Sequence, residues 1–270
     1  MKILLLPIAL LLLYLLALRG RCHHPGLSAL RGWSYAHRGL HDESIPENSL
    51  EAFRAAAEAG YGIELDIHLM QDGGLAILHD SLLNRMTGQD GRIEEKALCD
   101  LPELHLNGTE AAIPTLSQVL EEVRGRVPLI LELKSFGGNH AALCQAVCTA
   151  LGGYNGIYCL ESFDPRCVLW LKHHRPELIR GQLYENFLKL PNIPQPWLLR
   201  LLATWQLETF LTKPDFIACR YSQRRSLSNF LCRRLWHLQG IAWTLRTEAE
   251  YAQAQKEGWI PIFENIRPQP

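Results

Sequence analysis

Four charged side chains interrupt apolar runs at two-residue spacing. Glu64 and Asp66 alternate with Ile63, Leu65 and Ile67, while Glu132 and Lys134 stand among Ile130, Leu131 and Leu133. In an extended chain, residues two apart share one face, so each pair points the same way. His37 and Arg38 close a third short run, and His79 a fourth. One acidic residue in a strand is an ordinary edge or solvent-facing position. Three carboxylates inside apolar runs are not, because an unpaired buried carboxylate is costly. They call for cationic partners or a hard oxygen-ligated ion, and one divalent cation, Ca²⁺ or Mg²⁺, is the economical expectation for Glu64, Asp66 and Glu132.

The elements that must position these groups are legible as nine β-branched or aliphatic runs, at 34–36, 62–67, 75–78, 129–133, 157–160, 179–183, 215–219, 241–245 and 260–263. Helical stretches separate them, which predicts βα units around a parallel sheet. One such stretch opens at Asn48 or Ser49 as N-cap and stops at Gly60; another follows Pro114, with Leu116, Val119, Leu120 and Val123 at helical spacing. Nine strands are one too many for an eightfold barrel. Asp72-Gly73 reads as a hairpin turn, so 75–78 folds back antiparallel on 62–67 and eight parallel strands remain, an α/β (β/α)₈ TIM barrel. A turn centred on Asp72-Gly73 sets His79 opposite Asp66, and one centred on Gly73-Gly74 sets it opposite His68. Barrel chemistry gathers at the C-terminal strand ends, where all of these polar residues fall.

The whole chain has 270 residues with 27 basic and 28 acidic side chains, a formal net charge of −1. Without a basic excess to meet a phosphate backbone, no nucleic acid is expected as partner. From Met1 to Leu18 only Lys2 and Pro7 fall outside the hydrophobic set. Residues 1–24 therefore read as an apolar helix with its flank, a single-pass membrane anchor ahead of a body at 33–268. Arg19, Gly20, Arg21 and Cys22 follow in place of a small-residue cleavage site, which argues against a removed signal and a secreted form. Arg19, Arg21 and Arg31 after the run predict a cytoplasmic body. Seven body cysteines, an odd number without tight spacing, fit buried thiols, and Cys22-His23-His24 reads as a linker rather than a metal site.

In order along the chain stand Ala36-His37-Arg38-Gly39, Pro46-Glu47-Asn48-Ser49 with Ala52-Phe53, Glu64-Leu65-Asp66-Ile67, Asp72-Gly73, His79-Asp80 and Leu131-Glu132-Leu133-Lys134. This ordered set closely resembles the glycerophosphodiester phosphodiesterases. The resemblance implies a barrel with a small insertion after the second-strand hairpin, here about 81–112. It implies Glu64, Asp66 and Glu132 as metal ligands, His37 and His79 as the acid/base pair, and Arg38 and Lys134 on the phosphate; the resemblance leaves open which histidine is the acid, and the reading leans toward His79. Glu47 would orient a catalytic group or the glycerol part, and Trp243 would wall the pocket. Each also has a plain structural explanation, Glu47 as a helix N-terminal acid and Trp243 as a core side chain. Two departures from the family pattern, Arg246 and Phe263-Glu264-Asn265, fall at the mouth and bear on head-group preference.

The expected activity is metal-dependent hydrolysis of glycerophosphodiesters to sn-glycerol 3-phosphate and an alcohol, in phospholipid metabolism. A cation and basic side chains offset the charge by which a phosphodiester repels nucleophiles, and two histidines divide the proton transfers. The anchor motivates an alternative, a lysophospholipase D or cyclising phospholipase D acting on lysophospholipid or membrane lipid. A non-catalytic, membrane-tethered head-group binding module is a third reading, against which paired proton carriers count.

Overall fold

Tyr35 lies in parallel register with Gly62 on one side and Ile262 on the other, so the first strand joins the last and the sheet closes. The computed structural model describes residues 2–21, 23–191 and 195–269; Cys22 lies outside them. In chain order the elements are α1 (Lys2–Ala17), β1 (Tyr35–His37), α2 (Leu50–Glu58), β2 (Gly62–Leu69), β3 (Leu75–Ile77), α3 (Asn84–Thr87), α4 (Leu116–Val123), β4 (Leu129–Leu133), α5 (His140–Ala150), β5 (Tyr158–Ser162), α6 (Pro165–His174), β6 (Arg180–Tyr184), α7 (Trp197–Thr204), α8 (Thr209–Thr212), β7 (Phe216–Arg220), α9 (Leu227–Arg234), β8 (Gln239–Leu245), α10 (Glu248–Lys256) and β9 (Trp259–Phe263). Eight of the strands run parallel around a closed barrel, and β3 pairs antiparallel with β2 outside that count. The expected (β/α)₈ architecture is the observed one.

Strand alternation sorts the core. Tyr35, Ile130, Cys159, Phe216, Ala218 and Ile241 pack together as one buried cluster, with Leu27 and Leu30 from the 3-10 turn Pro25–Leu30 joining it. The neighbours of these residues in the strands, such as Ile63, Leu65, Leu129 and Leu131, pack instead with Phe53, Leu116, Val119 and Leu143 from the helices. Gly181 is required by this packing: a Cβ there would come within 2.0 Å of the Phe216 ring. The helix signals hold as well. Ser49 caps α2 by accepting from Ala52 N–H, and Thr115 forms a reciprocal capping box with Gln118 ahead of α4.

The hairpin takes a register that neither expected turn gives. Ile67 faces Ile77, His68 faces Ala76 and Leu69 faces Leu75. The turn spans three residues, Gln71-Asp72-Gly73, closed by Met70 N–H donating to Gly74 O, with Gly73 at φ +87°. Asp72 stabilises it by accepting from Gly74 N–H at 3.0 Å and Leu98 N–H at 2.7 Å. His79 therefore faces neither Asp66 nor His68 across the ladder and stands beyond the end of β3. The segment after it forms a small core of its own, in which Leu83, Met86, Ile93, Leu101 and Leu106 pack on Ala76 and Leu78.

The N-terminal helix corrects the expected anchor. It has 16 residues, about 24 Å at 1.5 Å per residue against about 30 Å of bilayer hydrocarbon. Among the described residues, no helix is long and apolar enough to cross a membrane. The single-pass anchor, the membrane partner it implied and the placement derived from it are not supported. The chain after the helix is tied to the barrel instead. Leu18 is fully buried with Ile217, Cys232 and Leu238, Trp236 Nε1 donates to Leu15 O at 2.7 Å, and Arg21 pairs with the buried Asp215.

Candidate active site

β1, β2 and β4 end side by side, and their last inward residues converge. Asp66 and Glu132 are register partners, and His37 is the partner of Glu64. Carboxylate oxygens of Glu64, Asp66 and Glu132 lie within 4.8 Å of one another, all three side chains buried. Lys134 Nζ bridges two of them, 3.0 Å from Asp66 Oδ1 and 2.8 Å from Glu132 Oε1. Asn48 Nδ2 donates to Asp66 Oδ2 at 2.9 Å, and Arg38 N–H donates to Glu64 Oε2 at 3.1 Å. Both Arg38 and Asn48 hold φ of +56°, which turns the backbone after β1 into the cluster.

The two histidines each have a carboxylate behind them. His37 Nδ1 donates to Glu264 Oε2 at 2.8 Å, leaving Nε2 3.9 Å from Glu64 Oε2. His79 Nδ1 meets Asp80 Oδ1 at 2.6 Å. Arg85, from α3 in the insertion, pairs with Asp80 and also with Glu47 Oε1 at 2.7 Å, and that same oxygen accepts from Arg38 Nη1 at 2.8 Å. Beneath His79, His68 bonds Glu94 through Nδ1 at 2.8 Å and approaches His79 O through Nε2 at 3.3 Å.

Burial and mutual repulsion set the electrostatics. Burial, reinforced by Asp66, Glu132 and Glu161, pushes the Glu64 carboxyl well above its usual range. Burial also raises Glu132, against the pull of Lys134. For Asp66, burial is outweighed by Lys134, His79 and Arg38 together with the Asn48 hydrogen bond, so its carboxyl is held low. Burial lowers His37 below 6.5 in spite of Glu264, while the His37 hydrogen bond draws Glu264 down to about 2. The donor set suits a hard divalent cation. Four buried carboxylates, Glu64, Asp66, Glu132 and Glu161, face two cationic side chains, Arg38 and Lys134, and Arg38 is shared with Glu47. Glu161 Oε2 is buried with no hydrogen-bond partner among the described residues.

Eight of the nine expected residues thus fall into one network of hydrogen bonds and ion pairs: His37, Arg38, Glu47, Glu64, Asp66, His79, Glu132 and Lys134. Trp243 stands apart on β8, edge-on to Phe163 at 5.9 Å with the Arg220 guanidinium 5.1 Å above its ring. Neither His41 nor His105 joins the network; His105 bridges to Ala112 within the insertion. Glu264, Glu161, Asn48 and Arg85 join the site without having been given a catalytic or ligand role from the sequence. Glu264 directly follows β9, and Glu161 follows Cys159 at two-residue spacing near the end of β5, so the signal was present for both. Asn48 was read only as a helix cap. Arg85 carries no local signal.

A model of the glycerophosphoryl diester phosphodiesterase family matches residues 37–265. A glycerophosphodiester phosphodiesterase of Caldanaerobacter subterraneus is 31% identical over 186 residues, covering 65% of this chain and 74% of its own length. A phosphodiesterase of Oleispira antarctica, solved in complex with the product sn-glycerol 3-phosphate, superposes with a TM-score of 0.69 at 25% identity, over 88% of this chain and 94% of that one. A glycerophosphodiester phosphodiesterase of Thermotoga maritima shares the fold at 24% identity, with a TM-score of 0.65 over 86% of this chain and 95% of that one. With the family pattern running from His37 at the end of the first strand to Asn265 beyond the last, this chain belongs to the glycerophosphoryl diester phosphodiesterase family.

Proposed function

We propose that the protein hydrolyses glycerophosphodiesters to sn-glycerol 3-phosphate and an alcohol, with His37 as general base and His79 as general acid. The observation that carries this is the convergence of two carboxylate-backed histidines on a buried Glu64, Asp66 and Glu132 cluster at one barrel rim. Burial keeps His37 neutral, and donation from Nδ1 to Glu264 leaves the Nε2 lone pair free to take a proton from attacking water. Asp80 holds His79 by Nδ1, so its Nε2 is the atom that passes a proton to the departing alkoxide as the phosphorus–oxygen bond breaks. Arg38 and Lys134 place fixed positive charge where the phosphoryl oxygens gather it. A divalent cation, Ca²⁺ or Mg²⁺, would be held by Glu64, Asp66 and Glu132 and would supply Lewis-acid stabilisation of that charge. Glu47 keeps Arg38 and Arg85 in line, and Trp243 offers an apolar face to the substrate's glycerol or head group.

The test is phosphorus NMR of the purified protein with glycerophosphocholine, in EDTA and with added Mg²⁺ or Ca²⁺. Glycerol phosphate should accumulate with cation present and not in EDTA. Choline phosphate would overturn the assigned bond cleavage, a lasting cyclic phosphate would overturn attack by water, and turnover undiminished in EDTA would overturn the metal role. Lysophosphatidylcholine run in parallel separates a lysophospholipase D from a glycerophosphodiesterase.

A further inference from the structure

Glu161 has no part in the steps above, yet it occupies the centre of the barrel. Asp66, Glu132 and Glu161 are successive register partners across β2, β4 and β5, so their side chains project as one row from neighbouring strands about 4.8 Å apart. Cys159, two residues earlier, belongs to the interior cluster, and the two-residue period sends Glu161 to the same side. The residue is 1% exposed and Oε2 has no hydrogen-bond partner among the described residues. A buried carboxylate oxygen left in that state is costly unless something donates to it. Among the described residues, the cluster of atoms close enough to ligate one ion comprises Glu64, Asp66 and Glu132 and does not include Glu161.

We propose that Glu161 is an outer ligand of the cation site, its Oε2 accepting a hydrogen bond from the hydration shell of a divalent cation held by Glu64, Asp66 and Glu132. This rests on the metal reading of the proposed function and extends it to a residue outside the ligating triad. The orphan oxygen gains a donor, and the third carboxyl of the row is set against the cation. A carboxylate in this place favours a cation that keeps part of its water, as Mg²⁺ does more than Ca²⁺. Gly181, the next register partner, has no side chain to compete for the position.

The experiment is calorimetric titration of Mg²⁺ and Ca²⁺ into the metal-free protein, comparing the unmodified chain, Glu161→Gln and Glu64→Gln, together with melting of each form in EDTA. Glu161→Gln should weaken Mg²⁺ binding about tenfold, the scale of an outer-shell partner. Its melting temperature in EDTA should not fall, because the amide keeps the side-chain shape and carries no charge in any protonation state, while the rise produced by Mg²⁺ should shrink. Mg²⁺ affinity within twofold of the unmodified chain overturns the proposal, as does a lowered metal-free melting temperature with unchanged affinity, which marks a purely structural side chain. Should Glu161→Gln not fold, Glu161→Leu, of similar volume, is measured in the same way. If the unmodified chain binds neither cation, the metal reading falls and this inference with it. If the unmodified chain binds cation, Glu64→Gln does not and Glu161→Gln binds normally, only this inference falls.

Discussion

Glu264 Oε2 lies 2.8 Å from His37 Nδ1, joining the residue after the last strand to the end of the first. The pair exists only because the barrel closes β9 against β1. It selects the ring tautomer, since a carboxylate accepts and Nδ1 must donate. Arg246 Nη2 secures Glu264 Oε2 from the other side at 3.1 Å.

Replacing Glu264 with Gln should lower kcat/KM about tenfold or more by freeing the His37 ring to take the wrong tautomer, the kind of loss that follows removal of an orienting carboxylate. The carboxylate also favours protonated His37, so its loss drives the His37 pKa lower still. The acid limb of the kcat/KM profile, already below 6.5, should move to lower pH in the variant. A limb that moves upward would reverse the assignment.

Acid should weaken the fold in two stages. His37 has a lowered pKa, so the unfolded chain takes up its proton first, and the contribution present above about 6.5 is lost as pH falls below it. Glu264 is drawn from 4.5 to about 2, so its contribution is present above 4.5 and lost as pH falls through that window. Urea midpoints measured from pH 8 to pH 3 should decline across both ranges, and Glu264→Gln should make the lower decline shallower.

Lys134→Met should destabilise the metal-free protein by about 3–5 kcal/mol, because Asp66 and Glu132 lose the ammonium that bridges them in a buried setting. Added Mg²⁺ or Ca²⁺ should restore part of this by binding the folded form alone. Denaturant unfolding in EDTA and in excess cation measures both effects. Equal losses in the two conditions would count against a cation at the cluster.

Arg85→Ala should reduce kcat/KM about tenfold, about 1.4 kcal/mol of transition-state stabilisation, while leaving the melting temperature nearly unchanged. The guanidinium holds Asp80 behind His79 and Glu47 behind Arg38 from the insertion, outside the barrel core. Activity within twofold of the unmodified chain would show that neither contact aligns the site.

Leu18→Ala should cost about 2–5 kcal/mol, since Leu18 is fully buried against Ile217, Cys232 and Leu238. Leu12→Ser, at a position 55% exposed, should change stability by no more than about 0.5 kcal/mol. Thermal melts of both variants distinguish a helix docked by its end from one packed along its length.

The alternation of Glu64 with Asp66 and of Glu132 with Lys134, together with the two histidines at run ends, was readable because each is a local pattern of period two inside an apolar stretch. Eight parallel strands followed from the spacing of those runs and the Asp72-Gly73 turn. The hairpin register did not, because hydrogen bonds donated by the Gly74 and Leu98 N–H groups to the Asp72 carboxylate stabilise a three-residue turn that dipeptide preference does not reveal. The run of apolar residues after Met1 suggested a span by composition, but where a helix ends depends on what its last turn packs against, and Leu18 meets residues some 200 positions away. The sequence by itself determined which residue types end which strands. The tertiary structure decided that Glu264 backs His37, that Arg85 of the insertion reaches Glu47, and that Glu161 completes the row begun by Asp66 and Glu132, since which partner each side chain meets is set by segments distant along the chain.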